Sequence, residues 1–270
     1  MSLSYQFCYN LTMRLNETQL KTILLAVIVV GTLLRFTNLN WDSYLAFHPD
    51  ERNIAWAVTR IHFFDQMNPQ FFAYGGFPIY LYRAIGEIVV AVTKNQIWLF
   101  DWGHIAVLGR YVSAVLSSVS ILLIFLVAKK FFSAPIGLLS AFFLAFSPWA
   151  IREAHFATTE TMLVFFLLLL LLFRKNVIAS GLILGFAASA KTTGLLFVLL
   201  APTRSLPVAA IIFLLFSPYT ILDWTHFKES MDYESGVALG RFSVPYTLQF
   251  LKTIPYVYQL QTMLWQAGPV

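Results

Sequence analysis

The sequence predicts an all-α, polytopic membrane protein, and three observations support this fold class. Apolar residues make up 59% of the 270 residues and charged residues 11%, whereas about 25% of a soluble domain is charged. The mean hydropathy is +0.71. The apolar residues form unbroken runs, such as the one from Phe165 to Leu172, while the strands of a membrane barrel alternate apolar and polar residues. We therefore expect transmembrane helices.

Each apolar run is compared with the ~20 residues that a helix needs to cross a bilayer. The first run continues from Leu20 to Leu34 without a small-residue cleavage pattern, which predicts a retained span and no cleaved signal peptide. About seven spans are expected in all. One of them, 194–203, is too short to cross alone unless the membrane thins or protein surrounds it. The expected spans are roughly 20–38, 104–128, 134–150, 160–173, 177–190, 194–203 and 205–222.

The joints between spans indicate the orientation of the chain. Lys129-Lys130, Arg174-Lys175 and Arg204 carry positive charge with hardly any acid, as do Arg14 and Lys21 near the start. Positive charge of this kind marks the cytoplasmic side. We therefore expect a multi-pass protein of the cell membrane with a cytoplasmic N-terminus and most of its acids and histidines outside.

Two outer regions follow from this orientation. The first is a large external loop of about 39–103, in which the apolar stretch Phe77–Val92 carries Arg83 and Glu87 and is expected to lie in the membrane interface. The second is the outer segment 226–270, which we expect to lead to a further C-terminal part. The predicted organisation is thus a membrane-embedded module over 1–225 followed by an external segment.

The net charge of +5 would favour a nucleic-acid partner in a soluble protein, but here the positive residues are scattered among helix ends. They are interpreted as topology signals, and no nucleic-acid partner is expected. The single cysteine, Cys8, cannot form an internal disulfide and does not indicate a redox compartment.

The stretch 47–51, FHPDE, is the first candidate site. Its acidic pair, Asp50 and Glu51, follows the first span of a chain with few charges. Carboxylates beside a bilayer must face water, a cation or a substrate, so the pair is a candidate catalytic group. The alternative for Asp50 is a helix cap, because Pro49-Asp50-Glu51 before a helical run is also good capping chemistry.

Two further segments lie on the same expected face. One is 147–160, SPWAIREAHFATTE, and the other is 185–194, GFAASAKTTG. Together with 47–51, and in this order, they resemble the GT-C glycosyltransferases of the protein mannosyltransferase and aminoarabinose transferase type. Those enzymes use polyprenyl-phosphate-linked sugars as donors, and the resemblance covers about residues 15–225.

The resemblance implies roles for individual residues. Asp50 matches the family's catalytic aspartate in the first external loop, and Glu160 matches a position that is usually aspartate at the start of the fourth span. Lys191 matches a lysine associated with the donor phosphate. The family's arginine shortly after the acidic pair has no counterpart at Asn53, although the adjacent Arg52 could substitute for it.

The residues themselves are consistent with a transferase. A lipid-linked sugar phosphate already carries a good leaving group, so the reaction needs a base, such as Asp50, and a cation, such as Lys191, Arg152 or a bound metal. A divalent cation is therefore a possible cofactor, with His48 and His155 as possible metal or substrate contacts. Ordinary structural explanations remain for each of these residues: capping for Glu160, a helix-end role for Lys191 and Arg152, and interfacial hydrogen bonding for the histidines.

We therefore predict an inverting membrane glycosyltransferase that acts on the extracytoplasmic side, with the bilayer and a polyprenyl-phosphate sugar as partners and an unknown acceptor. The alternative is a transporter or flippase of a lipid-linked sugar. Transporters usually place ionisable groups near the membrane midplane and show internal repeats, and the sequence shows neither. A receptor would leave Asp50, Glu160 and Lys191 apart in space.

Overall fold

The computed structural model of the protein describes residues 16–254 and 256–267. The chain is 75% helical, and no strand occurs within those two ranges, so the all-α prediction is confirmed. Short 3₁₀ segments span Thr192–Leu199, Thr203–Ser205 and Pro245–Phe250. The α-helices are α1 (Glu17–Phe36), α2 (Pro49–Thr59), α3 (Gly76–Thr93), α4 (Ile97–Phe100), α5 (Trp102–Phe131), α6 (Ala134–Phe146), α7 (Pro148–Ala154), α8 (Glu160–Phe173), α9 (Val177–Ala190), α10 (Leu206–Phe216), α11 (Tyr219–Leu222), α12 (Trp224–Ala238) and α13 (Val257–Ala267).

Polar side chains define where several of these helices begin. The Asn16 side chain accepts a hydrogen bond from the backbone N–H of Gln19 at 2.8 Å, and the Gln19 side chain accepts one from the N–H of Asn16. This reciprocal capping box starts α1. Asp101 and Asn176 cap α5 and α9 in the simpler way, each accepting from a backbone N–H three residues on.

The predicted count of seven spans is not confirmed. Within the described residues, α1, α3 and α5 are long and apolar enough to cross a membrane, and a fourth span is possible if α6 and α7 act as one. Helices α6 and α7 meet at 59°, because Pro148 begins a new helix. The continuous span expected over 134–150 is therefore broken. Helices α8 and α9 have 14 residues each, fewer than the ~20 that cross a bilayer unaided.

Helix α3 covers the stretch 77–92, which was expected to lie in the membrane interface. By length and composition α3 is also a candidate span, so its interfacial position stays a prediction. Arg83 is buried and pairs with Glu87 one turn later, at 2.7 Å. The span expected at 194–203 is instead a 3₁₀ segment that ends at Leu199.

The main hydrophobic core joins α2 to the apolar helices α3 and α8. Ile54 and Val58 of α2 pack with Ile79 of α3 and with Met162 and Leu170 of α8, all nearly inaccessible to solvent. Burying a side chain of this size stabilises the fold by about 1.5–3 kcal/mol. The first turn of α2, which carries the acidic pair, is thereby fixed against the helix bundle.

Arg35, at the end of α1, lies fully buried between α1, α5 and α6. Its guanidinium donates to the Ser117 hydroxyl at 2.7 Å and to the carbonyl oxygens of Gly31, Leu144 and Ala145 at 2.8–2.9 Å. None of these four acceptors is a carboxylate. The charge of Arg35 is therefore satisfied by carbonyl and hydroxyl dipoles, and these contacts tie three helices together.

Helices α9 and α10 pack through a pair of glycines. A Cβ atom at Gly181 would lie 2.5 Å from the Cβ of Val208, and one at Gly185 would lie 2.5 Å from the Cβ of Ile212. The four-residue spacing places both glycines on one helix face, where small residues let membrane helices approach closely. This contact positions the end of α9, where Lys191 follows.

Candidate functional site

Asp50 lies half-buried in the first turn of α2. His48 occupies the N-cap position of that helix without a side-chain capping hydrogen bond, and Pro49 is the first helical residue. Asp50 is therefore not the N-cap residue. Its negative charge is favourable at a helix N-terminus.

Lys191 and Glu160 form an ion pair at 2.8 Å, with 27% and 29% of their side chains exposed. Glu160 is the first residue of α8, and Lys191 ends α9 in an extended conformation. The Lys191 ammonium also lies 5.3 Å from the centre of the Tyr74 ring. Two of the residues that the sequence singled out are thus in direct contact.

Tyr74, in the loop before α3, joins Asp50 to this pair. Burial is the main cause of the raised pKa of the Tyr74 hydroxyl, followed by the negative charges of Asp50 and Glu160 and by a hydrogen bond with Asp50. Lys191 therefore contacts both Glu160 and the Tyr74 ring, and the charge of Asp50 acts on the same tyrosine.

Glu234 of α12 is a third carboxylate near this cluster. Burial raises the pKa of Glu234, the charge of Asp50 raises it further, and the charge of Lys191 lowers it. Sequence analysis did not single out Glu234 or Tyr74, because neither lies in the three recognised segments.

Glu51, the other half of the acidic pair, is fully buried, so its carboxylate is not accessible to a substrate. Both of its oxygens accept from Arg110 on α5, at 2.8 and 2.7 Å, and one also accepts from the backbone N–H of Ala157 at 2.7 Å. Arg110 in turn donates two hydrogen bonds to Asp42, at 2.8 and 2.6 Å. Glu51 therefore links α2 to α5 and to the loop that leads into Glu160.

The remaining candidates have other partners. Arg152 pairs with the neighbouring Glu153 at 2.6 Å, and Arg52 is exposed. One ring nitrogen of His155 lies 2.8 Å from the Thr37 carbonyl oxygen and the other 2.8 Å from that of Ile151. The His48 ring packs on Phe156, with 4.5 Å between ring centres.

No metal-binding group of three or more His, Cys, Asp or Glu side chains is found in the parts of the chain that the structure describes. The histidines therefore do not join the carboxylates in such a group. His155 holds the outer end of α7 to the end of α1 through its contact with Thr37, which is a structural arrangement.

An apolar groove opens beside the ion pair. Tyr74, Phe71 and Phe72 form one wall, and Thr192, the residue after Lys191, lies on another. The other aromatic residues that line it are Tyr80, Phe213, Tyr219 and Phe227. A chain of isoprene units is apolar throughout, and this groove lies directly next to the positive charge of Lys191.

The chain matches one known protein family. The profile described as dolichyl-phosphate-mannose-protein mannosyltransferase matches residues 88–244, more than half of the chain. The protein belongs to this family, and it is therefore a membrane glycosyltransferase of a type that uses polyprenyl-phosphate-linked sugars. Glu160, Lys191 and Glu234 lie inside the matched range, and Asp50 lies before it. No curated protein and no solved structure matches the chain.

Proposed function

We propose that the protein transfers a sugar from a polyprenyl-phosphate donor to an acceptor hydroxyl on the extracytoplasmic side of the cell membrane, with inversion at the anomeric carbon. The observation that carries the proposal is the Lys191–Glu160 ion pair beside Tyr74, with the charge of Asp50 contributing to the raised pKa of the Tyr74 hydroxyl. Family membership supplies the class of donor.

In the proposed reaction Asp50 is the base. The acceptor O–H transfers its proton to the Asp50 carboxylate while its oxygen attacks the anomeric carbon. The bond from that carbon to the phosphate oxygen breaks in the same step, and the polyprenyl phosphate leaves with the electron pair. A single displacement inverts the configuration, and no strong acid is needed because phosphate is a good leaving group.

Lys191 is the proposed phosphate contact. Its ammonium would stabilise the negative charge that develops on the departing phosphate, while the adjacent apolar groove would hold the first isoprene units. Glu160 orients the ammonium in the unbound state through the 2.8 Å ion pair. Arg152 and Arg52 are the other candidates for the phosphate contact. Arg152 is assigned none because it already pairs with Glu153, and Arg52 is assigned none because it is exposed.

Glu51 is proposed to position the other residues and not to contact the substrate. Its bonds to Arg110 and to the N–H of Ala157 fix the start of α2 relative to the loop before α8. Asp50 is the chain neighbour of Glu51, and Glu160 lies three residues after Ala157. The distance between base and phosphate contact is therefore controlled by a buried group next to the base.

The test is Asp50→Asn in the full-length protein, with polyprenyl-phosphate mannose as the first donor probe. The amide has the same shape but cannot accept the proton, so we expect transfer to fall by roughly 10²-fold or more with donor binding retained. Asp65→Asn, which neutralises an exposed acid of the same loop, should keep its activity. Transfer by Asp50→Asn at the parent rate would rule out this mechanism.

A transporter or flippase would use the same outer cluster without breaking a bond. It would move donor lipid between leaflets of a vesicle and release no polyprenyl phosphate. Appearance of free polyprenyl phosphate with glycosylated acceptor supports the transferase. Donor movement without its cleavage would support the alternative.

A further inference from the structure

A second cavity lies on the outer side of the Phe71–Phe72 wall, away from the apolar groove. Its volume is about 460 Å³, within the range of about 300–1,000 Å³ typical of small-molecule sites. Phe71 and Phe72 line it, and the polar side chains that line it are Arg60, Gln70, His226, Glu229 and Ser230. We call this cavity the outer cleft.

The two walls of the outer cleft are joined by specific contacts. The Asn68 side chain donates to Asp223 at 2.7 Å, and Phe72 packs edge-on against Phe227 of α12, with 5.9 Å between ring centres. Asp223 also contacts the His226 ring at 2.7 Å. The loop and α12 therefore form one structure around the outer cleft.

The charges of the outer cleft are balanced. Arg60 and Glu229 contribute one charge of each sign, and Asp223 lies beside His226. An anion such as a phosphate, or a cationic ligand, would find no excess of opposite charge here. This balance favours a neutral ligand over the charged donor phosphate.

The hydrogen-bonding groups around the outer cleft include both donors and acceptors. Arg60 donates to Gln70 and stacks over Trp56, with 3.6 Å between its guanidinium carbon and the ring centre. Among the described residues, the Glu229 carboxylate and the Ser230 hydroxyl form no side-chain hydrogen bond or ion pair, so both are available to a ligand. Phe71 and Phe72 supply apolar contact beside these polar groups, a combination that suits a molecule with many hydroxyl groups and flat C–H faces.

We propose that the outer cleft binds a neutral carbohydrate, as a part of the acceptor remote from the reacting hydroxyl. The proposal of its acceptor role rests on the transferase function proposed above. Arg60 follows the last turn of α2, ten residues after Asp50, so the two are about 15 Å apart along the helix axis. A glycan of a few sugar units can span that distance, and its binding at the outer cleft would hold the reacting hydroxyl near Asp50.

The test is binding of the purified full-length protein in lipid nanodiscs to an array of neutral, acidic and amino-sugar glycans and to Ser- and Thr-containing peptides. We expect neutral glycans to bind. Ser230→Trp, which fills the outer cleft, should weaken that binding at least tenfold, and Glu229→Gln should weaken it severalfold. Asp232→Asn, an exposed acid of the same helix outside the cleft, is the matched control and should bind as the parent does.

Absence of neutral-glycan binding, undiminished binding by both cleft variants, or selection of peptides or charged glycans instead would overturn the proposal. Asp50→Asn separates this result from the proposed function, because it should retain glycan affinity while losing transfer. If neutral glycans bind at the cleft and are never glycosylated, the acceptor role is wrong. In a transfer assay with a glycan acceptor, Ser230→Trp should lower kcat/KM at least tenfold and leave donor affinity unchanged.

Discussion

At the scale of single residues, the sequence was most informative where charge is rare. Asp50, Glu160 and Lys191 were singled out because ionised groups beside a bilayer are costly and need a reason, and the structure pairs Glu160 with Lys191. Tyr74 could not be predicted, since tyrosines are common at membrane interfaces. The burial of Glu51 was also unpredictable, because its partner Arg110 lies 59 residues away in the chain.

The phosphate role of Lys191 leads to a prediction at this scale. Lys191→Met keeps the length and apolar bulk of the side chain and removes its charge, so donor affinity should fall about tenfold or more while the fold is retained. Equilibrium binding of polyprenyl-phosphate mannose measures this. The control is Lys94→Met, at an exposed lysine of the outer loop, and equal donor affinity in both variants would mean that Lys191 does not contact the phosphate.

A second residue-scale prediction concerns Arg110. Arg110→Met leaves Asp42 and Glu51 buried without their cation, and removing one partner of such a group costs about 3–5 kcal/mol of unfolding free energy. Unfolding in mixed detergent micelles measures the loss. Lys21→Met, which breaks the exposed Lys21–Glu17 pair, should change stability little, and similar stability of the two variants would contradict the proposed importance of the buried group.

At the scale of elements, hydropathy located the apolar helices better than it determined their roles. The boundaries of α8 and α9 agree with the sequence analysis to the residue at 160–173 and 177–190. The break between α6 and α7 was missed, because Phe146-Ser147-Pro148 interrupts an apolar run by only two residues. The interfacial position of α3 stays a prediction, because its length and composition also fit a membrane span.

The glycine contact between α9 and α10 gives the prediction at this scale. A leucine at Gly185 would overlap Ile212 and the Ala209 carbonyl oxygen. A Cβ atom alone at this position would already lie 2.5 Å from the Ile212 Cβ and 2.8 Å from that oxygen. Gly185→Leu should therefore push the helices apart, cost about 1–3 kcal/mol and displace Lys191. Reduced donor affinity with lower thermal stability is expected. Ile178→Leu, at an exposed position of α9, is the control, and a Gly185→Leu protein that matches it in both measurements would exclude tight packing here.

At the scale of the whole molecule, the class of protein could be predicted and the number of spans could not. Composition alone excludes a soluble domain, and family membership agrees with it. The count of spans depends on helices of 14 residues, whose depth is decided by their neighbours and by local membrane thickness. These properties are not encoded in a hydropathy window.

Orientation is the prediction for the molecule as a whole. With Cys8 replaced by serine, a single cysteine at Ser43 should react with a membrane-impermeant maleimide applied to intact cells, and one at Ser133 should react only after permeabilisation. The reason is the positive charge beside Ser133 and the acids that follow Ser43. Equal labelling of the two positions in intact cells would reverse or abolish the proposed sidedness.

The buried Arg35 also constrains how the protein is made. Its hydrogen-bond partners Ser117 and Ala145 lie 82 and 110 residues further along the chain. At a synthesis rate of about 5–20 residues per second, the last of them follows Arg35 out of the ribosome after roughly 5–20 s. Until α6 has been synthesised, the Arg35 guanidinium lacks the carbonyl oxygens of Leu144 and Ala145. The full set of hydrogen bonds that satisfies this buried charge can therefore form only after the sixth helix has been made.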